Sequence, residues 1–252
     1  MNKDIILKRI TNVLENRYKQ KVCLTEILGG RDKNVYLAKL KNYEQFVVLC
    51  DKKNSLIHNY RTIQSNYLQK ELYKNSVYVA KVMDIFEDDE IGVIACHQYL
   101  TGTQSRSLNA EIIKLCAISI AKLHNSDFAF KYYFRDFSYK YAFCGLEKFL
   151  NESFRCLRSF LVDKNWSKLK KGVCHHDLNL KNFIFCDNKA YLIDFDRGRY
   201  WPYVYEIERF FRNENSREYI KEFISGYESV RKLDKFEQQY LIDRFEELKD
   251  IF

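Results

Sequence analysis

Proline and glycine are scarce, with one proline (Pro202) and eight glycines in 252 residues. That scarcity excludes collagen-like repeats and Pro/Gly-rich linker architectures. No apolar run approaches the roughly 20 residues that a membrane-spanning helix needs. The start, Met1-Asn2-Lys3-Asp4, leads into a mixed amphipathic stretch, where a signal peptide would place an apolar core and a small-residue cleavage site. No CxxC pair occurs, and the eight cysteines (23, 50, 96, 116, 144, 156, 174, 186) stand singly, several inside apolar runs. In a chain this long they read as reduced core thiols of a cytoplasmic protein, not as a disulfide framework. What is abundant is ordinary: 46% hydrophobic and 30% charged residues describe a globular protein able to bury a sizeable core. The net charge of +8 favours anionic partners in general. It does not separate nucleic acid from nucleotide, phosphosugar or a membrane surface, and no recognised nucleic-acid module accompanies it, so no nucleic-acid partner is expected.

The first hundred residues read as strand-rich with one helix inserted. Phe46-Val47-Val48-Leu49-Cys50 is a β-type run, preceded by a turn-containing segment from Ile27 to Leu37. Residues 56–74 lack strand alternation and predict a helix. Val77–Val82 and Gly92–Leu100 are two further β-type runs, split by an acidic turn, Glu87-Asp88-Asp89-Glu90. From Asn109 the pattern turns helical. Glu111 to His124 is apolar almost all round and predicts a buried helix. Leu146 to Leu161, Tyr219 to Tyr227 and Phe236 to Leu248 repeat at helical spacing. Between them Phe183-Ile184-Phe185 and Ala190-Tyr191-Leu192-Ile193 are short β-type runs joined by Cys186-Asp187-Asn188-Lys189, a pair suited to a tight turn. The reading is an α+β, two-lobed chain. Residues 1–100 form a small β-rich lobe, residues 101–252 a larger helical lobe with one hairpin, and Gln98 to Gly102 join them.

The stretch that carries chemistry runs Cys174-His175-His176-Asp177-Leu178-Asn179-Leu180-Lys181-Asn182, then across the hairpin to Ile193-Asp194-Phe195-Asp196. A hairpin of this length folds back, so Asp194 at its end returns close to Asn182 at its start. A carboxylate, an amide oxygen and a second carboxylate on one point make a hard-oxygen site suited to Mg²⁺, which takes few protein ligands. Phosphoryl transfer needs that metal and a carboxylate to orient the attacking hydroxyl. A zinc site at Cys174, His175, His176 and Cys186 is disfavoured, because contiguous residues lack the gaps that let ligands converge.

This segment resembles the catalytic loop and metal-binding segment of the protein-kinase-like fold in its small-molecule branch, the aminoglycoside phosphotransferase and choline kinase superfamily. The match is His175-x-Asp177-x-x-x-x-Asn182 and Ile193-Asp194-Phe195-Asp196. The resemblance implies that Asp177 orients or deprotonates the acceptor hydroxyl, that Asn182 and Asp194 hold Mg²⁺, and that His175 braces the loop. Asp196 is left as a second metal contact or a partner of Arg197 or Arg199. Asp-Leu-Asn-x-x-Asn with Asp-Phe-Asp-Arg-Gly also resembles bacterial kinases of the lipopolysaccharide sugars Kdo and heptose.

Other segments match in order. Leu28-Gly29-Gly30-x-x-x-Asn34-x-Tyr36 is similar to the first-hairpin loop that approaches the ATP phosphates, Val79-Ala80-Lys81-Val82 to a V-P-[KR]-V segment, and Gln98-Tyr99-Leu100-Thr101-Gly102 to the interlobe hinge that meets adenine. Leu123-His124-Asn125 matches a helix end, with His124 as a structural cap, and Tyr205-Glu206-Ile207 a helix start that usually carries Asp. The pattern departs at the third strand. The phosphate-holding base expected there is Cys50, Lys52 is the substitute on the same face, and the partnering helix glutamate is missing, with Gln64 nearest and Glu71 late. The resemblance therefore implies an ATP- and Mg²⁺-dependent kinase of a small-molecule hydroxyl, on an amino alcohol such as choline or ethanolamine, an amino sugar or a sugar. A lipopolysaccharide-sugar kinase and a non-catalytic nucleotide-binding scaffold are the alternatives. Acceptor pockets of the superfamily correspond to residues 126–170 and 200–240, where Tyr132, Tyr133 and Phe134 near Arg135 line a pocket or simply pack.

Overall fold

The computed structural model describes residues 3–27, 33–42, 44–52, 55–105, 107–126, 167–214 and 216–252. The chain divides into two compact units, Met1–Tyr73 with Val79–Thr101 and Lys74–Tyr78 with Gly102–Phe252. No helix among the described residues is long and apolar enough to cross a membrane.

The first unit is an antiparallel sheet of β1 (Val22–Ile27), β2 (Lys33–Leu40), β3 (Gln45–Asp51), β4 (Val82–Asp88) and β5 (Gly92–Gln98), in the order β1-β2-β3-β5-β4. It carries α1 (Lys3–Tyr18) and α2 (Leu56–Lys74). Strand alternation divides the sheet's residues between these helices. Phe46, Val48 and Cys50 of β3, with Ile94 and Cys96 opposite them, form an apolar core with Ile10 and Leu14 of α1. The alternate residues meet α2, whose buried side is largely polar. Thr62 Oγ1 donates to Asp51 Oδ2 at 2.5 Å. Gln69 Nε2 donates to the Ala80 carbonyl at 2.7 Å and to His97 Nδ1 at 3.3 Å, while His97 Nε2 donates to Asn66 Oδ1. The imidazole is thus neutral, one nitrogen accepting and the other donating.

Two expectations shift here. Among the described residues the first unit contains two helices: α1, read in the sequence only as a mixed stretch, supplies one side of the apolar core. The β-type run Val77–Val82 is not a strand. Its carbonyls are taken singly, Ala80 by Gln69 and Lys81 by the Gln98 amide at 2.8 Å, and the strand proper runs from Val82 to Asp88. Glu87 and Asp88 therefore belong to β4. The turn follows them, closed by Asp88 Oδ1 accepting from the Glu90 and Ile91 amides at 3.0 Å each and by Gly92 at φ 90°.

The second unit is helix-rich, as expected. α3 (Ala110–His124) is capped by Asn109, whose side chain accepts from the Ile112 amide at 2.8 Å. β6 (Lys171–Cys174) follows, then the hairpin β7 (Phe183–Cys186) and β8 (Lys189–Leu192), then β9 (Arg199–Pro202). Asp187 and Asn188 have φ of 50° and 56°, the left-handed pair of a two-residue hairpin turn. β6 pairs with β9, so the unit carries a second two-stranded sheet that the sequence reading lacked. Among the described residues three further helices follow: α4 (Tyr203–Glu214), α5 (Ile220–Glu228) and α6 (Lys235–Ile242). The helical spacing predicted through Leu248 breaks after Ile242 and resumes as a 3-10 turn, Glu246–Leu248. α5 lies close on α3, since a Cβ at Gly226 would stand 2.9 Å from the Lys114 carbonyl. The periodic run from Leu146 to Leu161, and Tyr132 to Arg135, lie outside the described residues.

Burial, then the charge of Lys33, push His97 down to about 3. A folded value below the ordinary 6.5 adds stability that is full above about pH 6.5 and is lost as pH falls toward 3. Thermal melting should fall between pH 7 and pH 5, with His97 accounting for at most about 2 kcal/mol. A His97→Gln variant should melt lower at pH 7 and show a flatter pH dependence. An unchanged slope would contradict the assignment.

Candidate active site

The site is built on the loop from His175 to Asn182, laid along one face of α4. Glu206, Arg209, Asn213 and Glu214 recur at i, i+3, i+7 and i+8, which puts them on one stripe. Each holds a successive part of the loop. Glu206, fully buried, accepts the His175 amide on Oε2 at 3.0 Å and the His176 amide on Oε1. Arg209 Nη1 donates to His176 Nδ1 at 3.1 Å. Asn213 Nδ2 donates to the Leu178 carbonyl at 2.9 Å, and Glu214 Oε1 accepts the Leu180 amide at 2.8 Å. His176 adopts φ 62°, a left-handed conformation rare for a side chain of this size. The chain turns there, immediately before Asp177.

The hairpin closes the site from the other side. Asn182 stands just before β7 and Ile193 just after β8, and the Ile193 amide donates to the Asn182 carbonyl at 3.0 Å. His175 Nε2 donates to the Ile193 carbonyl at 2.7 Å, its ring against Phe195 at 4.6 Å. Asn182 Nδ2 donates to the Asp177 carbonyl at 2.7 Å, a carbonyl that also accepts from Asn179 Nδ2 at 2.9 Å. Asp177, Asn182, Ile193 and His175 are thus tied by direct bonds, with Asp194 next in the chain at φ 65° and exposed. Because Nδ2 is fixed on Asp177, Asn182 presents its Oδ1 as a hard acceptor. A carboxamide oxygen and a carboxylate at the paired end of a hairpin fit a divalent cation that keeps other oxygens for its remaining positions. Asp196 lies in the 3-10 turn Phe195–Arg197 that follows, and Arg197 Nη1 stands 3.6 Å from Asp177 Oδ1.

Beneath the loop runs a buried polar chain. Arg231 Nη1 donates to Tyr227 Oη at 3.1 Å, Tyr227 donates to His124 Nδ1 at 2.8 Å, and His124 Nε2 donates to Glu206 at 2.9 Å. Arg231 is balanced by Glu237 at 2.8 Å. Burial pushes His124 down despite Glu206, so it is a neutral donor. Burial pushes Glu206 up, but the hydrogen bonds from His124 and from the His176 amide outweigh it and hold the carboxyl below the usual range. His124, Cys174 and Glu206 bring ligand-type atoms within 4.8 Å of one another. Their hydrogen bonds account for them: Nε2 is spent on Glu206, both carboxylate oxygens on the loop, and the Cys174 thiol on the Trp201 carbonyl at 3.4 Å.

The sequence reading singled out Asp177, Asn182, Asp194, Asp196 and His175, and all lie in this assembly. The candidates in the first unit are dispersed along its sheet. Asn34 pairs across the strands with Cys50, donating Nδ2 to its sulfur at 3.9 Å. Cys50 lies in the apolar core with α1, and burial pushes its thiol up to about 11, so it is an inert hydrophobe. The α2-facing residue at the end of β3 is Asp51, with Lys33 opposite it in register. Lys52 is exposed just past the strand, Gln98 is exposed at the end of β5, and Leu100 is buried. Gly29 and Gly30 lie outside the described residues. The roles of Arg209, Asn213, Glu214, Tyr227 and Arg231 were missed. The i, i+3, i+7, i+8 stripe on α4 was the signal available for the first three.

The loop, hairpin and supporting helix define a small-molecule phosphotransferase of the protein-kinase-like fold. A profile described as the phosphotransferase enzyme family matches residues 24–238, and the chain belongs to that family. No curated protein sequence matches it. Among solved structures, spectinomycin phosphotransferase in complex with ADP and spectinomycin aligns at a TM-score of 0.62 and 13% identity, over 94% of this chain and 84% of that one. Amicoumacin kinase with AMP-PNP and Ca²⁺ aligns at 0.63 and 14%, over 100% and 90%. Ethanolamine kinase of Plasmodium vivax aligns at 0.61 and 18%, over 91% and 72%. At such identities the likeness is one of fold.

Replacing Glu206 tests the support. Glu206→Ala leaves two buried amides without their acceptor, at about 1–3 kcal/mol each. Glu206→Gln keeps one acceptor oxygen, and Glu206→Asp keeps the charge. Phosphoryl-transfer kcat should fall about a hundredfold in the Gln variant at little change in nucleotide KM. The Asp variant should recover most of the loss. Equal activity in all three would remove Glu206 from any positioning role.

Proposed function

We propose that this enzyme transfers the γ-phosphate of ATP to a hydroxyl of a small molecule, with Mg²⁺ as the divalent cation. The observation that supports the reading is the set of bonds joining Asp177, Asn182, Ile193 and His175, which ties the main chain at Asp177 to the end of the hairpin that carries Asn182 and leads into Asp194. Asp177 accepts the hydroxyl proton as the acceptor oxygen bonds to the γ-phosphorus, and the bond from that phosphorus to the bridging oxygen breaks, releasing ADP. Asn182 and Asp194 would hold the divalent cation, which when bound would supply charge neutralisation for the phosphates. His175 positions Asp194 through the Ile193 carbonyl, and Asp196 supports the same turn.

The first unit, residues 1–100 in the sequence reading, is assigned to the nucleotide, with Gly29, Gly30, Asn34, Gln98 and Leu100 as its contacts. Lys33 joins Lys52 as a candidate for the phosphate-holding cation, because it faces α2 across from Asp51, where Cys50 faces α1. The acceptor classes are amino alcohols, amino sugars and sugars. Kdo or heptose of lipopolysaccharide is the alternative suggested by Asp194-Phe195-Asp196-Arg197-Gly198. The free cysteines among the described residues and the demand for ATP support a cytoplasmic location. A nucleotide-binding scaffold without turnover is the competing reading, favoured by the apolar setting of Cys50.

Phosphorus-31 NMR of Mg·ATP with pooled acceptors should show a new phosphomonoester signal. Asp177→Asn should lose it by at least about a thousandfold while still binding nucleotide, and Asp194→Asn should weaken Mg·ATP binding itself. Full turnover by Asp177→Asn would refute the catalytic assignment. Absence of turnover in every pool, with nucleotide binding retained, would favour the scaffold. Lys33→Ala should raise the Kd for Mg·ATP about tenfold or more, and the opposite ranking of Lys33→Ala and Lys52→Ala would return the role to Lys52.

A further inference from the structure

Asn182 stands at the start of hairpin β7–β8, and Asp194 follows its end. Among the described residues β7 and β8 form a sheet of two strands, and such a pair is marginally stable by itself. In an antiparallel pair, alternate residues turn their amides and carbonyls outward, away from the partner strand. Phe185 pairs with Ala190 and Phe183 with Leu192, and the bonds to neighbouring elements fall on these pairs. On β7, the Phe185 amide donates to the Thr103 carbonyl at 2.8 Å, and the Thr103 amide donates back at 3.1 Å. On β8, the Ala190 carbonyl accepts from Ser119 Oγ of α3 at 2.5 Å, and the Leu192 amide donates to the Tyr78 carbonyl at 2.8 Å. Both outer edges of the hairpin are thus held, a few residues from Asn182 and from Asp194.

Each hold is made by a residue with little room to change. A Cβ at Gly102 would stand 2.3 Å from the Phe185 carbonyl oxygen and 2.8 Å from Ile184 Cγ2, so Thr103 reaches β7 because its neighbour lacks a side chain. Ser119 is fully buried in α3, where a serine hydroxyl can turn back on its own helix, and it serves Ala190 instead. The Tyr78 ring packs against Tyr191 of β8 at 5.9 Å, with Lys122 Nζ at 4.8 Å and Lys189 Nζ at 5.4 Å from its centre. Tyr78 and Gly102 both belong to the second unit with the hairpin. Mg²⁺ demands near-octahedral geometry with short bonds, whereas Ca²⁺ accepts variable and longer ones. Donors at the two ends of a hairpin move relative to one another as its strands twist. A braced hairpin therefore suits Mg²⁺, and a loose one tolerates Ca²⁺ better.

We propose that Gly102, Ser119 and Tyr78 are positioning residues for the divalent cation. By bracing both edges of the hairpin they fix the spacing of Asn182 and Asp194, and so favour Mg²⁺ over the larger Ca²⁺. The inference rests on the phosphotransferase reading, in which Asn182 and Asp194 would hold the metal, and it adds what sets the choice of ion.

The test measures binding to the full chain. Calorimetry gives the Kd of ADP in EDTA, in saturating Mg²⁺ and in saturating Ca²⁺, and the tightening by each metal is compared. Mg²⁺ should tighten ADP binding to the natural chain, and Asp194→Asn should abolish the effect. Ser119→Ala and Gly102→Ala should each cut the tightening by Mg²⁺ about tenfold and that by Ca²⁺ less than about threefold, with the Kd in EDTA unchanged. Ser119→Cys, whose thiol is a weaker donor, should recover part of the Mg²⁺ effect. Tyr78→Phe keeps the ring and the carbonyl and should match the natural chain, while Tyr78→Ala should follow Ser119→Ala. Ile113→Val, buried elsewhere on α3, should lower the melting temperature without moving either metal effect, which separates placement from stability. Equal loss for both metals, no loss, or weaker ADP binding in EDTA would overturn the bracing role and leave the metal assignment standing. Absence of a Mg²⁺ effect in the natural chain, or its survival in Asp194→Asn, would refute the metal assignment and the bracing role with it.

Discussion

Everything at the candidate active site depends on one buried carboxylate. Glu206 accepts the amides of His175 and His176, and with them it fixes where the chain must turn to present Asp177. A buried carboxylate is costly unless it is fully hydrogen-bonded. Here the two loop amides and the His124 imidazole supply that compensation. The same bonds that stabilise the charge hold the loop, so support and site geometry are inseparable. Helix α4 extends the arrangement through Arg209, Asn213 and Glu214 until the loop reaches Leu180.

The left-handed turn at His176 follows from this anchoring. Both amides must point down toward Glu206 while the next side chain points away, and only a sharp reversal satisfies both. The imidazole held in that conformation is stabilised by Arg209 on one nitrogen and by Trp201 at its edge. On the opposite flank the hairpin returns Ile193 to Asn182, and the two-residue turn at Asp187 and Asn188 sets the register that makes this happen. The divalent site and the loop are therefore held by different elements that meet through backbone bonds.

The legible parts of the chain were those whose partners lie close in sequence. His175 to Asn182 and the hairpin to Asp194 span some twenty residues, and strand alternation with a turn pair is enough to fold them back. α3 announced itself by continuous apolarity and its end at His124. The illegible parts rely on distant partners. α1 looks nondescript until Ile10 and Leu14 meet Cys50 and Cys96 across the sheet. β6 pairs with β9 across the whole hairpin, and its four residues carry no pattern of their own. α2 hid its role because its buried side is polar, with Thr62, Asn66 and Gln69 serving Asp51 and His97. Cys50 was read as the vacant place of a basic residue. Strand alternation was applied correctly, but which face met which helix was decided by α1, a helix the sequence did not reveal.

The buried chain from Arg231 through Tyr227 and His124 to Glu206 donates in one direction only. Arg231 has nothing to accept with, and Glu206 has nothing to donate, so neither hydroxyl nor imidazole can reverse without breaking the bonds on both its sides. The chain has a single donor-acceptor order. The foundation of the loop therefore has one hydrogen-bonding arrangement, set at one end by a group that only donates and at the other by a group that only accepts.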